Sequence, residues 1–488
     1  VHLFIILYFD ITNKKKNKDY NSLLMERHMQ TTSDSLKCHL IRVARKIHDI
    51  VSDPNFKPRI EVYLRRTVEE IGVDKDGVPT GGAKWKDSIF EKPYILDIPE
   101  DDKLIQANQE AVDAIIHRYD WERTKAEQEV REFKSWILKK VIAKRFDSLV
   151  LDEGVSIFIN DLNKTPVSAV VKVFLLGVTT RQPSILIGDN LKIRKVYEED
   201  LTLEYNVSFP PPRQPIPHSI AEINMDVYDR MDLLEHQYAA ERLVSVLMLF
   251  KPWPVYLTKY NIIFPTIKSL DTISNPSIPM LGVKGNIIEP SDEDCLKKLY
   301  QVLLPMLSRD IVYKSGRDPV SIAYKLYSDA LTSKDGSDWK LATAVSGLDA
   351  LFVEGPGVDQ TYKLKNRAAK LLGLLGDLPE DVRKNVNASY KIRSSVFHGE
   401  KLDSKQIQST AKYLPSICEY LRKSILLFLF LNKKEGLEKS SIIDSIDDSF
   451  IGATKSDKET LLDNVESLES KIGFSYEELG MKSQASLK

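Results

Sequence analysis

Apolar and polar positions along the chain change period near residue 150 and again near residue 290. Residues 31–75 read as helical, with two short amphipathic segments, and 103–149 as a long, charge-laced helical stretch. From about 150 the period falls to two. "VSIFIN", "SAVVKVFLLGV" and "PSILIGDNLKIRKV" are strand-like, and in "LTLEYNVSF" Leu201, Leu203, Tyr205, Val207 and Phe209 share one face. A proline-rich break, "PPPRQPIP", precedes another alternating run in which Ile223, Met225 and Val227 point one way. One helix over 230–250 follows and ends at "KPWP", with extended chain to about 285.

Beyond that point the pattern is helical again. Ser291, followed by acidic residues, offers an N-cap, and helices are expected near 291–313, 318–332, 337–354, 360–375, 379–398 and 404–433. Leu341, Val345, Leu348 and Phe352 form a core stripe in the third of these. Pro379 stands just inside a helix start, and Gly399 follows His398 as a stop signal. The expected class is α+β, mainly α. Five parts are expected: 1–30 disordered or upstream of a later start at Met25 or Met29, 31–150 helical, 151–285 β-rich with one long helix, 290–435 an independent helical bundle, and 436–488 a polar, loosely attached tail.

Composition adds little that is specific. The chain has 488 residues, 42% hydrophobic and 28% charged, with net charge −1, and its length fits roughly two to four domains. Any binding face for a polyanion must therefore be a local patch. Residues 131–145, "REFKSWILKKVIAKR", carry six Lys/Arg against one Glu, which reads as a solvated helix face in preference to an RNA-facing patch. Cys38, Cys295 and Cys418 are odd in number and match no metal spacing, so a reducing cytoplasm is expected, with no metal and no cofactor. The apolar runs "VHLFIILYFD" and "ILLFLFL" are too short to span a bilayer, and the second reads as a buried turn of the last large helix.

Arginine followed four to six residues later by histidine occurs four times, at Arg42…His48, Arg213…His218, Arg230…His236 and Arg393…His398. Spacing alone identifies nothing. Five residues of α-helix is about 140° of rotation, so Arg393 and His398 diverge on a continuous helix. A helix ending at His398 frees the imidazole to swing towards the arginine or towards a second copy of the site.

The segments "WKLATAVSGLDALF" (339–352), "YKLKNRAAKLLG" (362–373) and "ASYKIRSSVFHGEKL" (388–402) together resemble the Apea-like branch of the HEPN superfamily, over roughly 290–435. The resemblance implies a small helical bundle that dimerises, placing two Arg-x4–6-His motifs across a two-fold axis as a metal-independent endoribonuclease site. It implies catalytic roles for Arg393, His398 and Ser394, where the family more commonly has Asn, Asp or His after the arginine. The chemistry suits the residue types. RNA supplies its 2′-hydroxyl as nucleophile, a histidine can act as base or acid, and an arginine can grip a phosphate as charge builds.

Residues 361–400 hold eight Lys/Arg against four Asp/Glu, and Lys363, Lys365, Arg367, Lys370 and Lys391 are the candidate RNA contacts. Asp349 is expected to pair with a basic residue of a neighbouring helix, with Arg367 as candidate, and Tyr390 to lie in the core. Two functions stay open. One is a ribonuclease of a defence or stress system, restrained or triggered by a ligand or protein acting on the N-terminal regions. The other is a non-catalytic HEPN module that binds RNA or a protein partner, or only dimerises. In the bland alternative His398 caps its own helix and Arg393 pairs with Glu400 or Asp403.

Overall fold

The computed structural model describes residues 35–481, apart from 54, 57–58, 95–97, 99, 143–147, 164–166, 202, 207–215, 228–232, 264–269, 275–282, 356–358 and 452–454. The apolar opening run, both early methionines, Val207, Phe209 and most of the proline-rich break lie outside the described residues. The class is α+β and mainly α, with fourteen α-helices and eleven strands among the described residues.

The first unit is helical. Helix α1 (35–51), α2 (Asp102–Tyr119), α3 (Arg123–Ile142) and α4 (Ser148–Leu162) share a core that includes Leu40, Ile47, Leu104, Ile115, Phe133 and Phe158. Asp101 caps α2 by accepting from the Leu104 N–H at 2.7 Å. "VSIFIN" lies in α4 and is not a strand. Val155, Phe158, Ile159 and Leu162 stand at i, i+3, i+4 and i+7, and all are buried. A six-residue window is too short to separate that pattern from alternation.

Between α1 and α2 runs a long hairpin, where helix was expected to residue 75. Strands β1 (Arg59–Val73) and β2 (Pro79–Tyr94) pair antiparallel. The turn uses "DKDG": the Asp74 carboxylate accepts from the N–H groups of Asp76 (2.9 Å) and Val78 (3.0 Å), and Gly77 takes φ +77°.

The centre of the molecule is a six-stranded antiparallel sheet. In spatial order it runs Leu270–Ser274, Tyr256–Ile263, Val167–Leu176, Ser219–Val227, Leu191–Lys195 and Ser184–Gly188. In chain order these are β10, β9, β3, β8, β6 and β5. Val171, Val173 and Leu175 of β3 face inward, and Lys172 faces out beside Glu222 of β8. Strand β4 (Val178–Thr180) pairs in parallel with β11 (Asn286–Ile288). Strand β7 (Leu203–Asn206) joins the hairpin through β1 and not the central sheet.

Helix α5 (Leu233–Phe250) covers the inner face, and the C-terminal helices pack behind it. These are α6 (Glu293–Leu303), α7 (Arg309–Val312), α8 (Pro319–Thr332), α9 (Ser337–Phe352), α10 (Gln360–Gly373), α11 (Pro379–Phe397), α12 (Ser404–Glu435), α13 (Lys439–Ile451) and α14 (Lys455–Ile472). The single helix expected over 291–313 is divided at Pro305, which has no N–H to give, and Ser308 caps the short α7. "ILLFLFL" is buried along α12, as expected.

One hydrophobic core runs from Ala169 of β3 through α5 and the bundle to Met481. Sheet and bundle therefore share their interior, contrary to the expected independent bundle. The tail is part of it. Ile442 and Ile446, then Val465, Leu468 and Ile472, form helical stripes that reach this core. Arg422, buried in α12, donates to the carbonyls of Leu249 (2.8 Å) and Gly480 (3.1 Å) and to Glu419 (2.6 and 2.7 Å). It thus ties the end of α5, α12 and the tail together. No described helix is long and apolar enough to cross a membrane.

Candidate functional site

The geometry of the Arg393–His398 stretch starts from how α11 stops. His398 is the C-cap, with φ −85° and ψ 0°, and its N–H donates to the Ser394 carbonyl at 3.0 Å. Gly399 follows with φ +71°, a conformation glycine adopts without steric cost. The Gly399 N–H donates to Val396 O at 3.1 Å and the Glu400 N–H to Ser395 O at 2.9 Å, the two bonds of a Schellman stop. The helix therefore ends where the glycine signal placed its end.

That stop leaves His398 in solvent. Its imidazole makes no hydrogen bond or ion pair with any described residue. Phe397, four residues after Arg393, occupies the face that Arg393 shares, as helical rotation requires.

Arg393 is half-buried and held from three sides. Its Nη2 lies 3.4 Å from Asp349 Oδ2 on α9, and its guanidinium carbon lies 5.3 Å from the Tyr390 ring and 4.9 Å from the Phe397 ring. The pair is not saturated. Arg393 Nε and Asp349 Oδ1 are both buried with no hydrogen-bond partner among the described residues. Burial pushes the Asp349 carboxyl up to about 6, against the downward pull of Arg393 and then Lys439.

The partner expected for Asp349 was thus wrong, and Arg393 does not pair with the acids that the bland alternative assigned to it. Glu400 instead accepts from Ser395 Oγ at 2.6 Å, and Asp403 caps α12 by accepting from the Gln406 N–H at 2.8 Å. Ser394 is half-buried and lends its backbone carbonyl to the helix stop. Its hydroxyl makes no hydrogen bond to Arg393 or His398. Tyr390 is partly buried and packs on the core, while its ring supports the arginine.

The candidate basic residues separate. Lys363 and Lys391 are exposed, Lys365 stands with its ammonium 5.7 Å from the Tyr362 ring, and Lys370 lies 5.6 Å from the Phe450 ring. Arg367 is buried and cannot serve as a phosphate contact there. It makes a bidentate pair with Asp447 (2.6 and 2.8 Å) and donates to Phe352 O at 2.6 Å. The signal for this was in the sequence. Leu364, Arg367, Ala368 and Leu371 stand at i, i+3, i+4 and i+7, so the arginine belongs to the apolar stripe.

Helices α10 and α11 form an antiparallel hairpin, which puts Lys363 and the exposed Tyr362 at the His398 end of the bundle. Two further aromatics at that end escaped sequence reasoning, Trp339 and Phe397. Both lie off the buried stripes of their helices, which is the only mark they leave in the sequence.

No cluster of three or more potential metal ligands occurs among the described residues. Comparison of the chain with protein-family models, curated proteins and solved structures finds no match.

Proposed function

We propose that the chain is an endoribonuclease of the HEPN type, acting in a reducing cytoplasm as a homodimer, with His398 and Arg393 as its catalytic pair. The observation that carries this reading is the end of α11. It presents an unpartnered imidazole to solvent five residues after a guanidinium anchored by Asp349, with exposed Lys391 two turns back on the same helix.

In this reading Arg393 holds the scissile phosphate. One His398 takes the proton of the 2′-hydroxyl, whose oxygen attacks the adjacent phosphorus. The bond to the 5′-oxygen breaks, and that oxygen takes a proton from the other copy's His398. The products are a 2′,3′-cyclic phosphate and a 5′-hydroxyl. One imidazole cannot stand on both sides of the phosphate at once, so a two-fold pair of sites supplies the base and the acid.

A second reading is favoured by the Asp349–Arg393 contact. It offsets the charge of the one arginine in the motif, and the Ser394 hydroxyl orients neither catalytic group. A module that binds RNA or a protein partner without cutting needs no more than this. The two readings part on incubation of the purified chain with total RNA in EDTA beside His398→Ala. Cleavage by the wild type alone supports the nuclease, and intact RNA with both supports the binding module. His398 is exposed and makes no side-chain bond to described residues, so its loss leaves the fold unchanged.

A further inference from the structure

Two large aromatic rings stand exposed at the end of the bundle that carries Arg393 and His398. Trp339, in the first turn of α9, and Phe397, the last residue of α11, are each 47% exposed. Their rings meet edge to face with centroids 6.0 Å apart, and the Arg393 guanidinium lies against the same Phe397 ring.

Neither ring lies on the buried stripe of its own helix. The buried stripe of α9 includes Leu341, Val345 and Leu348, and Trp339 lies about 200° around from Leu341. An exposed helix position gains nothing from an aromatic, which is a poorer helix former than lysine or glutamate. Large apolar faces set among cations are the pattern of a surface that stacks unpaired bases while neighbouring charges take the phosphates. The cation in contact here is Arg393, whose guanidinium carbon lies 4.9 Å from the Phe397 ring. The acids at this end are occupied, with Asp349 on Arg393, Glu400 accepting from Ser395 and Asp403 capping α12; Asp338 stands in the first turn of α9, where an acid suits the helix N-terminus.

We propose that Trp339, braced at its edge by Phe397, is the stacking platform for the base beside the phosphate that Arg393 holds. Trp339 is then a positioning residue, and the site requires a base at that place that is free to leave its stack. The inference rests on the RNA-cleavage reading above. The order Arg393, Phe397, Trp339 along the surface follows the order of phosphate, sugar and base within one nucleotide. A ring face carries no hydrogen-bond code, so the platform selects for stacking strength, purine over pyrimidine, and not for sequence.

The test uses the full chain carrying His398→Ala, which binds without cutting, and 12-nucleotide single-stranded RNAs lacking one base at successive positions. At one position removal of the base is expected to weaken binding roughly 5- to 100-fold. Trp339→Ala weakens binding of the intact RNA by the same factor, the two losses do not add, and Trp339→Tyr restores most of the affinity. In the cutting chain, Trp339→Ala raises KM with little change in kcat.

Losses that add at every position overturn the platform. So does a Trp339→Ala chain that turns monomeric with unchanged RNA affinity per chain, since the ring then covers a second copy of the protein. Coupling in a chain whose wild type cuts no RNA retains the platform and removes only the cleavage reading.

Discussion

Asp349 stands in a setting that a carboxylate does not favour. It is largely buried, one carboxylate oxygen has no partner, and burial holds its pKa at about 6, above the ordinary 3.8. The folded chain therefore binds this proton more tightly than the unfolded chain. Its contribution to stability is fully present below about pH 4 and is lost as pH rises through 6. Asp349→Asn removes that dependence. Relative to wild type, the variant is expected to gain on the order of 1–3 kcal/mol between pH 4 and pH 7, read from urea unfolding across a pH series. A difference that stays flat with pH contradicts the account of Asp349. The opposite case is Arg367, whose bidentate bond to Asp447 and bond to Phe352 O are well formed. Arg367→Ala is expected to cost about 2–4 kcal/mol through lost packing and an orphaned carbonyl, with no specific loss of RNA affinity in chains that remain folded.

Among the elements, α11 matters most because its stop sets where His398 points. Gly399 has φ +71° and open space around the position of a Cβ, so Gly399→Ala strains only the backbone. The expected cost is about 1 kcal/mol in a urea midpoint, together with a fall in RNA cleavage as the His398 end shifts. Wild-type stability and cleavage in this variant would show that the stop is incidental. This stop was legible in the sequence, as were α8 to α12, because stripes such as Leu341–Val345–Leu348–Phe352 run over several turns. The β1–β2 hairpin was not, because charged pairs such as Arg65–Arg66 and Glu69–Glu70 blur alternation, and its "DG" turn carries the information instead. Arg393 and His398 were singled out by the glycine after them and by the resemblance of the surrounding segments, not by spacing, which recurs four times. The partner of Arg393 was not found, because pairing across helices depends on how α9 and α11 are rotated against each other, which a linear pattern does not contain.

At the scale of the whole molecule, the shared core decides what can stand alone. Sheet, α5, bundle and tail bury one continuous interior, whereas α1 to α4 bury another. A chain limited to 290–435 exposes the surfaces that Leu243, Leu247 and Ile446 cover, and it loses the Arg422 bonds to Leu249 and Gly480. It is expected to lack fixed near-ultraviolet circular dichroism, while 167–481 keeps it. A well-folded 290–435 would contradict the single core. The same core joins the sheet to the helices α9 and α11 that carry Asp349, Arg393 and His398. Whether the site works at all is tested most directly by mass spectrometry of the ends formed when the full chain meets RNA in EDTA. The account predicts 2′,3′-cyclic phosphates and 5′-hydroxyls from wild-type protein and none from a folded His398→Ala variant. Intact RNA with the wild type, or the same ends with both proteins, would contradict it.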